Sequence, residues 1–474
     1  MTQAEVRDGS VAQRERALRV VEQVLSGSGA PWAWQGMPGV PQKWTQQTGP
    51  ADLDLWCGAD LDPLVARLAG ALPAAVVARA TDPRRLRHCS LAVETSAGLA
   101  VVDVTFGDLR VGPVLLVPRE QVQVRQGPDG PRLVGVSAAA DLLVRPLLRG
   151  RIPEAARVAA ARDGWGEAAA QERTQAAEQW RQQLGELADS IVAALDGAEP
   201  DPALPGLLRR RLLTLTVSPA NLVASLRQWR SIVPAGPSAG PLGLRTRGAV
   251  VALVGTDGAG KSTVAADLRG RLERAGFHTS ESYFGMARGN LPGVGLARKL
   301  LGIEKAGDSG TEQVDDNTAP ADPSPTAPPA TTDPGADRPG LRRLAAWFYA
   351  GEYGWRYLRT VAPRRWRKDI VICDRYVYDL RESPWPGSRA SWLVERIVPR
   401  PDILALPDAP AEVIHARKPE RQLAEQAAQQ QKFRALLAER PARSAEVVVD
   451  TSGHTEDSVA PLVLAAISAA SLPR

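Results

Sequence analysis

Apolar residues recur along this chain with two periods, and the switches between them divide it into segments. Residues 14–25 carry apolar positions three and four apart, the stripe of an amphipathic helix. A loop through Trp32, Trp34, Gly36 and Gly39 follows, and Asp52-Leu53-Asp54-Leu55-Trp56 then alternates strictly, which predicts a strand. Residues 99–106 predict a second, more apolar strand carrying Asp103 among Val101, Val102 and Val104. From Val136 to about Ile232 the period becomes helical, with helices expected over 138–148, 153–162, 171–195 and 207–229. Trp165, Trp180 and Trp229 are placed to plug this helical layer.

The Pro/Gly/Ser run PAGPSAGPLGL at 234–244 is the clearest boundary. Beyond it, Val250-Val251-Ala252-Leu253-Val254 is apolar on both faces, as a fully buried strand requires. Residues 264–272 return to helical spacing, and 278–285 predict the next strand, followed by a glycine-rich loop to Gly295. Residues 307–340 contain no large apolar residue after Val314 and are rich in proline, so they are expected to be disordered. Helical patterning resumes over 341–358, and apolar runs at 370–374, 402–406 and 447–450 predict further strands. Strands alternating with helices imply a doubly wound parallel sheet. The expected organisation is an α+β unit over 1–150, a helical connector over 151–233, a linker over 234–246 and an α/β domain over 247–474 interrupted by the insertion 307–340.

Composition narrows the function classes. Across 474 residues, 44% are apolar, 23% are charged and the net charge is +5, with no basic block that reads as a nucleic-acid arm. The three cysteines, Cys57, Cys89 and Cys373, lack metal-ligand spacing, and sparse thiols suit a reducing cytoplasm. A polar start and an apolar stretch too short to span a bilayer at 459–472 add to the expectation of a soluble cytoplasmic protein without membrane partners.

The chemistry concentrates in Gly255-Thr256-Asp257-Gly258-Ala259-Gly260-Lys261-Ser262-Thr263, which satisfies G-x-x-x-x-G-K-[ST] between a strand and a helix. Its glycines let backbone N–H groups turn toward phosphate oxygens, and the following helix start adds partial positive charge. In such a loop Lys261 reaches the terminal phosphates and Ser262 ligates magnesium. The run Ile370-Val371-Ile372-Cys373-Asp374 ends in the acidic residue expected to share that metal.

Asp374-Arg375-Tyr376 after a buried strand, together with an aspartate inside the phosphate loop, resembles the thymidylate kinase family over about residues 248–472. The resemblance implies an ATP- and Mg2+-dependent phosphotransferase. Lys261, Asp374, Arg375 and Arg417 would act in transfer, with Asp257, Arg375, Tyr376 and Arg356 against the acceptor. Arg356 lies one helical turn after Glu352, a spacing that suits a surface ion pair as well. The implied partners are ATP and a small, nucleotide-like acceptor, with a homodimer left open.

Asp52 and Asp54 share one face of their strand, and with Asp103 they resemble the metal-holding carboxylates of polymerase-β-like nucleotidyltransferases. A polar outward face on an edge strand accounts for the same alternation. Three readings therefore stand at this level: a P-loop kinase, a nucleotidyltransferase whose P-loop half supplies or senses nucleotide, and a nucleotide-gated binding module.

Overall fold

Two large sheets, one mixed and one wholly parallel, carry the architecture of the computed structural model. The residues it describes are 3–80, 82, 87–231, 241–243, 246–284, 347, 351–378, 389–419, 422–438, 444–453 and 456–471. The glycine-rich loop after Phe284, the insertion 307–340 and most of the linker lie outside the described residues.

The N-terminal half contains helices α1 (Gln3–Ser26), α2 (Val40–Gln46) and α3 (Leu61–Ala71). Its strands are β1 (Trp32–Trp34), β2 (Ala51–Cys57), β3 (Ala74–Ala80), β4 (Arg87–Thr95), β5 (Gly98–Phe106), β6 (Leu109–Val111), β7 (Val114–Val117), β8 (Val124–Gly127) and β9 (Gly130–Leu133). Seven of these form a sheet in the order β3-β4-β5-β2-β1-β9-β8. β2 therefore lies inside the sheet, parallel to β5 and antiparallel to β1, and the edge-strand alternative is excluded. Leu53 and Leu55 point into a core shared with α1 and α3, so Asp52 and Asp54 occupy the opposite face.

The helical layer comprises α4 (residues 135–148), α5 (Ala155–Glu167), α6 (Ala170–Leu184), α7 (Leu187–Leu195), α8 (Leu204–Val217) and α9 (Pro219–Ser231). Two expected helices are each broken in two. At Gly185 the backbone turns left-handed (φ 66°), which ends α6. At Pro219 the missing N–H removes a helical hydrogen bond and restricts the residue before it, so α9 starts afresh. Trp165 and Trp180 plug the layer as expected, stacked 5.7 Å apart, with Trp180 Nε1 donating to Leu116 O at 3.0 Å. The Trp229 side chain lies outside the described residues.

The C-terminal half contains β10 (Ala249–Leu253), α10 (Lys261–Arg274), β11 (Thr279–Tyr283), α11 (residues 351–366), β12 (Ile370–Asp374), α12 (Arg389–Ile397), β13 (Ile403–Asp408), α13 (Ala411–Arg417), α14 (Leu423–Ala438), β14 (Ala445–Asp450) and α15 (Glu456–Ser471). Its five strands are all parallel in the order β11-β12-β10-β13-β14. Every residue of β10 is buried because strands flank it on both sides and helices cover both faces.

The halves share a core. Ala75, Val77, Ala92, Leu99 and Val101 of β3–β5 pack with Val264, Leu268 and Leu272 of α10 and with Val459, Leu462 and Val463 of α15. Across this seam the Arg271 guanidinium donates to both oxygens of Glu94 at 2.6 and 2.7 Å. Among the described residues no helix is long and apolar enough to cross a membrane.

Candidate functional site

The loop after β10 bends through three glycines with positive φ, Gly255 (144°), Gly258 (90°) and Gly260 (92°). Glycine is needed at 258 on a second ground: a Cβ there would lie 2.9 Å from Ile414 O. Lys261 opens α10 with only 8% of its surface exposed. Its Nζ donates to Gly255 O at 2.9 Å and Thr256 O at 2.8 Å, and lies 3.3 Å from Asp257 Oδ1. Burial, reinforced by the Arg375 charge, lowers its pKa against the pull of Asp257 and Asp374. Ser262, one residue on, is exposed.

Asp374 comes from the neighbouring strand. The parallel register pairs Leu253 with Asp374, so the acid stands at the C-terminal strand ends beside the start of the loop. One buried oxygen, Asp374 Oδ1, accepts no hydrogen bond, a costly arrangement that a cation would relieve. Arg375 then adopts a left-handed conformation (φ 69°) while its N–H donates to Leu253 O at 3.0 Å. The guanidinium reaches Asp257 Oδ1 at 2.5 Å. Burial alone raises a carboxylate pKa, but Lys261, Arg375 and Lys418 outweigh it and hold Asp257 below its ordinary value. Gly255 to Thr263, Asp374 and Arg375 are thus brought together as expected.

Three predicted residues are placed otherwise. Tyr376 is fully buried, stacked 5.0 Å from Phe284, and its hydroxyl donates to Pro399 O at 2.6 Å; it forms part of the core. Arg356 pairs with Glu352, which is 4% exposed, so this is a largely buried ion pair rather than a surface one. Arg417 is exposed and donates to Thr451 O at 2.6 Å on the flank of the loop, where Thr451 Oγ1 donates to Ala259 O at 2.9 Å.

Sequence reasoning missed the polar floor under the loop. Gln430 and Gln426, both on α14, contact Thr256 and Asp257, and Asp408 ties Gln430 to Arg434. The available signal was the stripe Gln426, Gln430, Phe433, Leu437, which is polar at one end where a core-facing stripe is normally apolar throughout.

The second predicted cluster assembles in part. The β2–β5 register sets Asp54 beside Asp103, and the β4–β5 register sets Ser90 beside Asp103. Leu99 and Val101 of the same β5 face are covered by α10 and α15, so Asp103 begins where that cover ends. Basic side chains already face these acids. Arg145 Nη2 lies 3.8 Å from Asp54 Oδ1 and its Nη1 3.0 Å from Asp141 Oδ1, while His88 Nε2 lies 3.4 Å from Asp103 Oδ1. Desolvation, with the like charges of Asp103, Asp52 and Asp141, raises the Asp54 pKa despite Arg145. Burial opposes ionisation of Asp103 too, yet His88, Ser90 and Arg145 prevail and lower its pKa. Asp52 is exposed. Among the described residues no group of three or more His, Cys, Asp or Glu side chains is arranged to hold a metal ion, so the expected carboxylate triad does not form as a metal-binding group. The Asp141–Arg145 pair was visible as two opposite charges four residues apart in an otherwise apolar run, but their partner Asp54 was not.

No protein-family model and no curated protein matches this chain.

Proposed function

We propose that the chain is a P-loop phosphotransferase of the thymidylate-kinase-like type, moving the γ-phosphoryl group of ATP to a small, nucleotide-like acceptor. The observation that carries this reading is the register of Leu253 with Asp374, because it sets a buried carboxylate oxygen lacking a hydrogen bond beside a complete phosphate loop. Phosphoryl transfer depends on positioning and on neutralising charge spread over three oxygens, and Lys261 and Arg375 supply two cations at one place. Asp257 orients both, and its lowered pKa keeps it ionised at neutral pH, able to accept a hydrogen bond from an acceptor hydroxyl. Asp374 and the exposed Ser262 fit a magnesium ion, which would neutralise phosphate charge when bound. Thr451 and Arg417 flank the loop and would bound the nucleotide on that side.

The second reading, nucleotidyl transfer at Asp54 and Asp103, draws support from their side-by-side register. The leaving group separates the two: γ-phosphoryl transfer from Mg-ATP releases ADP, whereas nucleotidyl transfer releases pyrophosphate, with deoxythymidine monophosphate the first acceptor to try. In the first reading Lys261→Ala abolishes acceptor-stimulated ADP release and Asp54→Ala leaves it intact; pyrophosphate release without ADP, lost in Asp54→Ala and kept in Lys261→Ala, would sink the kinase reading.

A further inference from the structure

We infer that Gln430 and Gln426 are positioning residues for the phosphate loop, and that they set its affinity for polyphosphate from beneath. This rests on the phosphotransferase reading for the identity of the ligand. Gln430 is 1% exposed and connects three segments. Its Oε1 accepts from Thr256 Oγ1 at 3.0 Å and, at longer range, from Thr256 N at 3.4 Å. Its Nε2 donates to Asp408 Oδ1 at 2.6 Å and to Pro407 O at 3.3 Å. Asp408 is held in turn by Arg434, whose Nε lies 3.0 Å from Oδ2 and whose Nη2 lies 2.9 Å from Oδ1. The amide is thereby fixed in one orientation, with its oxygen toward the loop.

Thr256 is consequently gripped from two sides. Lys261 takes its carbonyl, and Gln430 takes its hydroxyl and N–H. One turn earlier on α14, Gln426 (3% exposed) donates to Asp257 O at 3.3 Å and to Lys418 O at 3.1 Å, and its Oε1 lies 3.0 Å from His415 Nδ1. It thus links the loop residue that bears the Arg375 contact to the segment carrying Arg417 and Lys418. A phosphate nest works only if its backbone N–H groups point inward before the ligand arrives. Four atoms of two buried amides are engaged in holding the backbone path at Thr256 and Asp257, and an apolar side chain in their place would leave the Thr256 hydroxyl and the Asp408 carboxylate without this partner.

Titration calorimetry of the full chain with Mg-ATP tests the inference, because it separates affinity from the fraction of folded sites. Gln430→Leu is expected to raise Kd about tenfold at unchanged stoichiometry, with Gln426→Leu smaller in the same direction and the exposed control Gln431→Leu at the wild-type value. Thr256→Val removes the hydroxyl that Gln430 receives, so combining it with Gln430→Leu should be clearly non-additive. Unchanged Kd in Gln430→Leu, a loss of stoichiometry alone, or full additivity with Thr256→Val would each overturn the positioning role and leave the kinase reading standing. A wild-type chain that binds no Mg-ATP would overturn both.

Discussion

The glycine loop from Gly255 to Thr263 and the aspartate face of β2 and β5 use the same ingredients with different outcomes. In the loop, Lys261 and Arg375 converge on one carboxylate, Asp257, while two main-chain carbonyls hold the ammonium in place. The neighbouring Asp374 keeps a buried oxygen without a hydrogen bond, and so does Asp103, although His88 Nε2 lies 3.4 Å from the Asp103 oxygen. On the proposed reading, magnesium would meet the Asp374 oxygen when bound. On the aspartate face, Asp52, Asp54, Asp103 and Asp141 crowd together, and the protein answers with Arg145 and His88. The two regions differ in which acids the basic side chains reach: Arg145 and His88 lie against the acids of the aspartate face, whereas in the loop Lys261 and Arg375 are drawn to Asp257 rather than to Asp374.

The two regions come closest at Asp374 and Asp103, each with one buried oxygen that accepts no hydrogen bond, so these two residues test the comparison most directly. Asp374→Asn is expected to cut acceptor-stimulated ADP release about 100-fold, the scale of losing one electrostatic partner of a transition state. Asp103→Asn should leave that rate within about twofold. Equal losses in the two variants would erase the distinction drawn between the sites.

A smaller effect is expected in stability. Arg145→Ala removes the cation beside Asp141, whose side chain is 2% exposed and keeps only the hydrogen bonds from Gln35 Nε2 and Gly36 N, and should destabilise the chain by about 3 kcal/mol. Urea unfolding followed by the fluorescence of the buried tryptophans measures it. A value near zero would mean that Arg145 does not balance these acids, and the face would again be open to metal.

The smallest signal lies in the pH dependence of that stability. The Asp103 pKa is lowered in the fold, so its contribution is present above the unfolded carboxylate pKa and is lost as pH falls through the folded value. The Asp54 pKa is raised, so its contribution is present below the unfolded value and is lost as pH rises through the folded one. Asp103→Asn should therefore cost stability at neutral pH and progressively less in acid, whereas Asp54→Asn should gain relative to wild type as pH rises. Thermal melts from pH 3 to 7 distinguish the two, and parallel curves would show that the aspartates share one environment.

Much of the C-terminal half was legible in the chain itself. The continuous apolar runs of β10, β12 and β13 predicted buried parallel strands, and the loop from Gly255 to Thr263 announced its geometry because adjacent residues share one local backbone path. Asp374 was legible for the same reason, as the polar end of an apolar run. The breaks at Gly185 and Pro219 follow from the backbones of those two residues, whereas the interior place of β2 and the burial of Tyr376 were decided by packing. So were the partners of the loop, since Gln430 and Thr256 stand 174 residues apart, and the facing of Arg145 onto Asp54. A helical stripe records which face of α14 is unusual, but not what that face will meet. Which surfaces meet depends on how helices and sheets stack, and that is a property of the whole fold: the common core that joins β3–β5 to α10 and α15 exists only once both halves are in place.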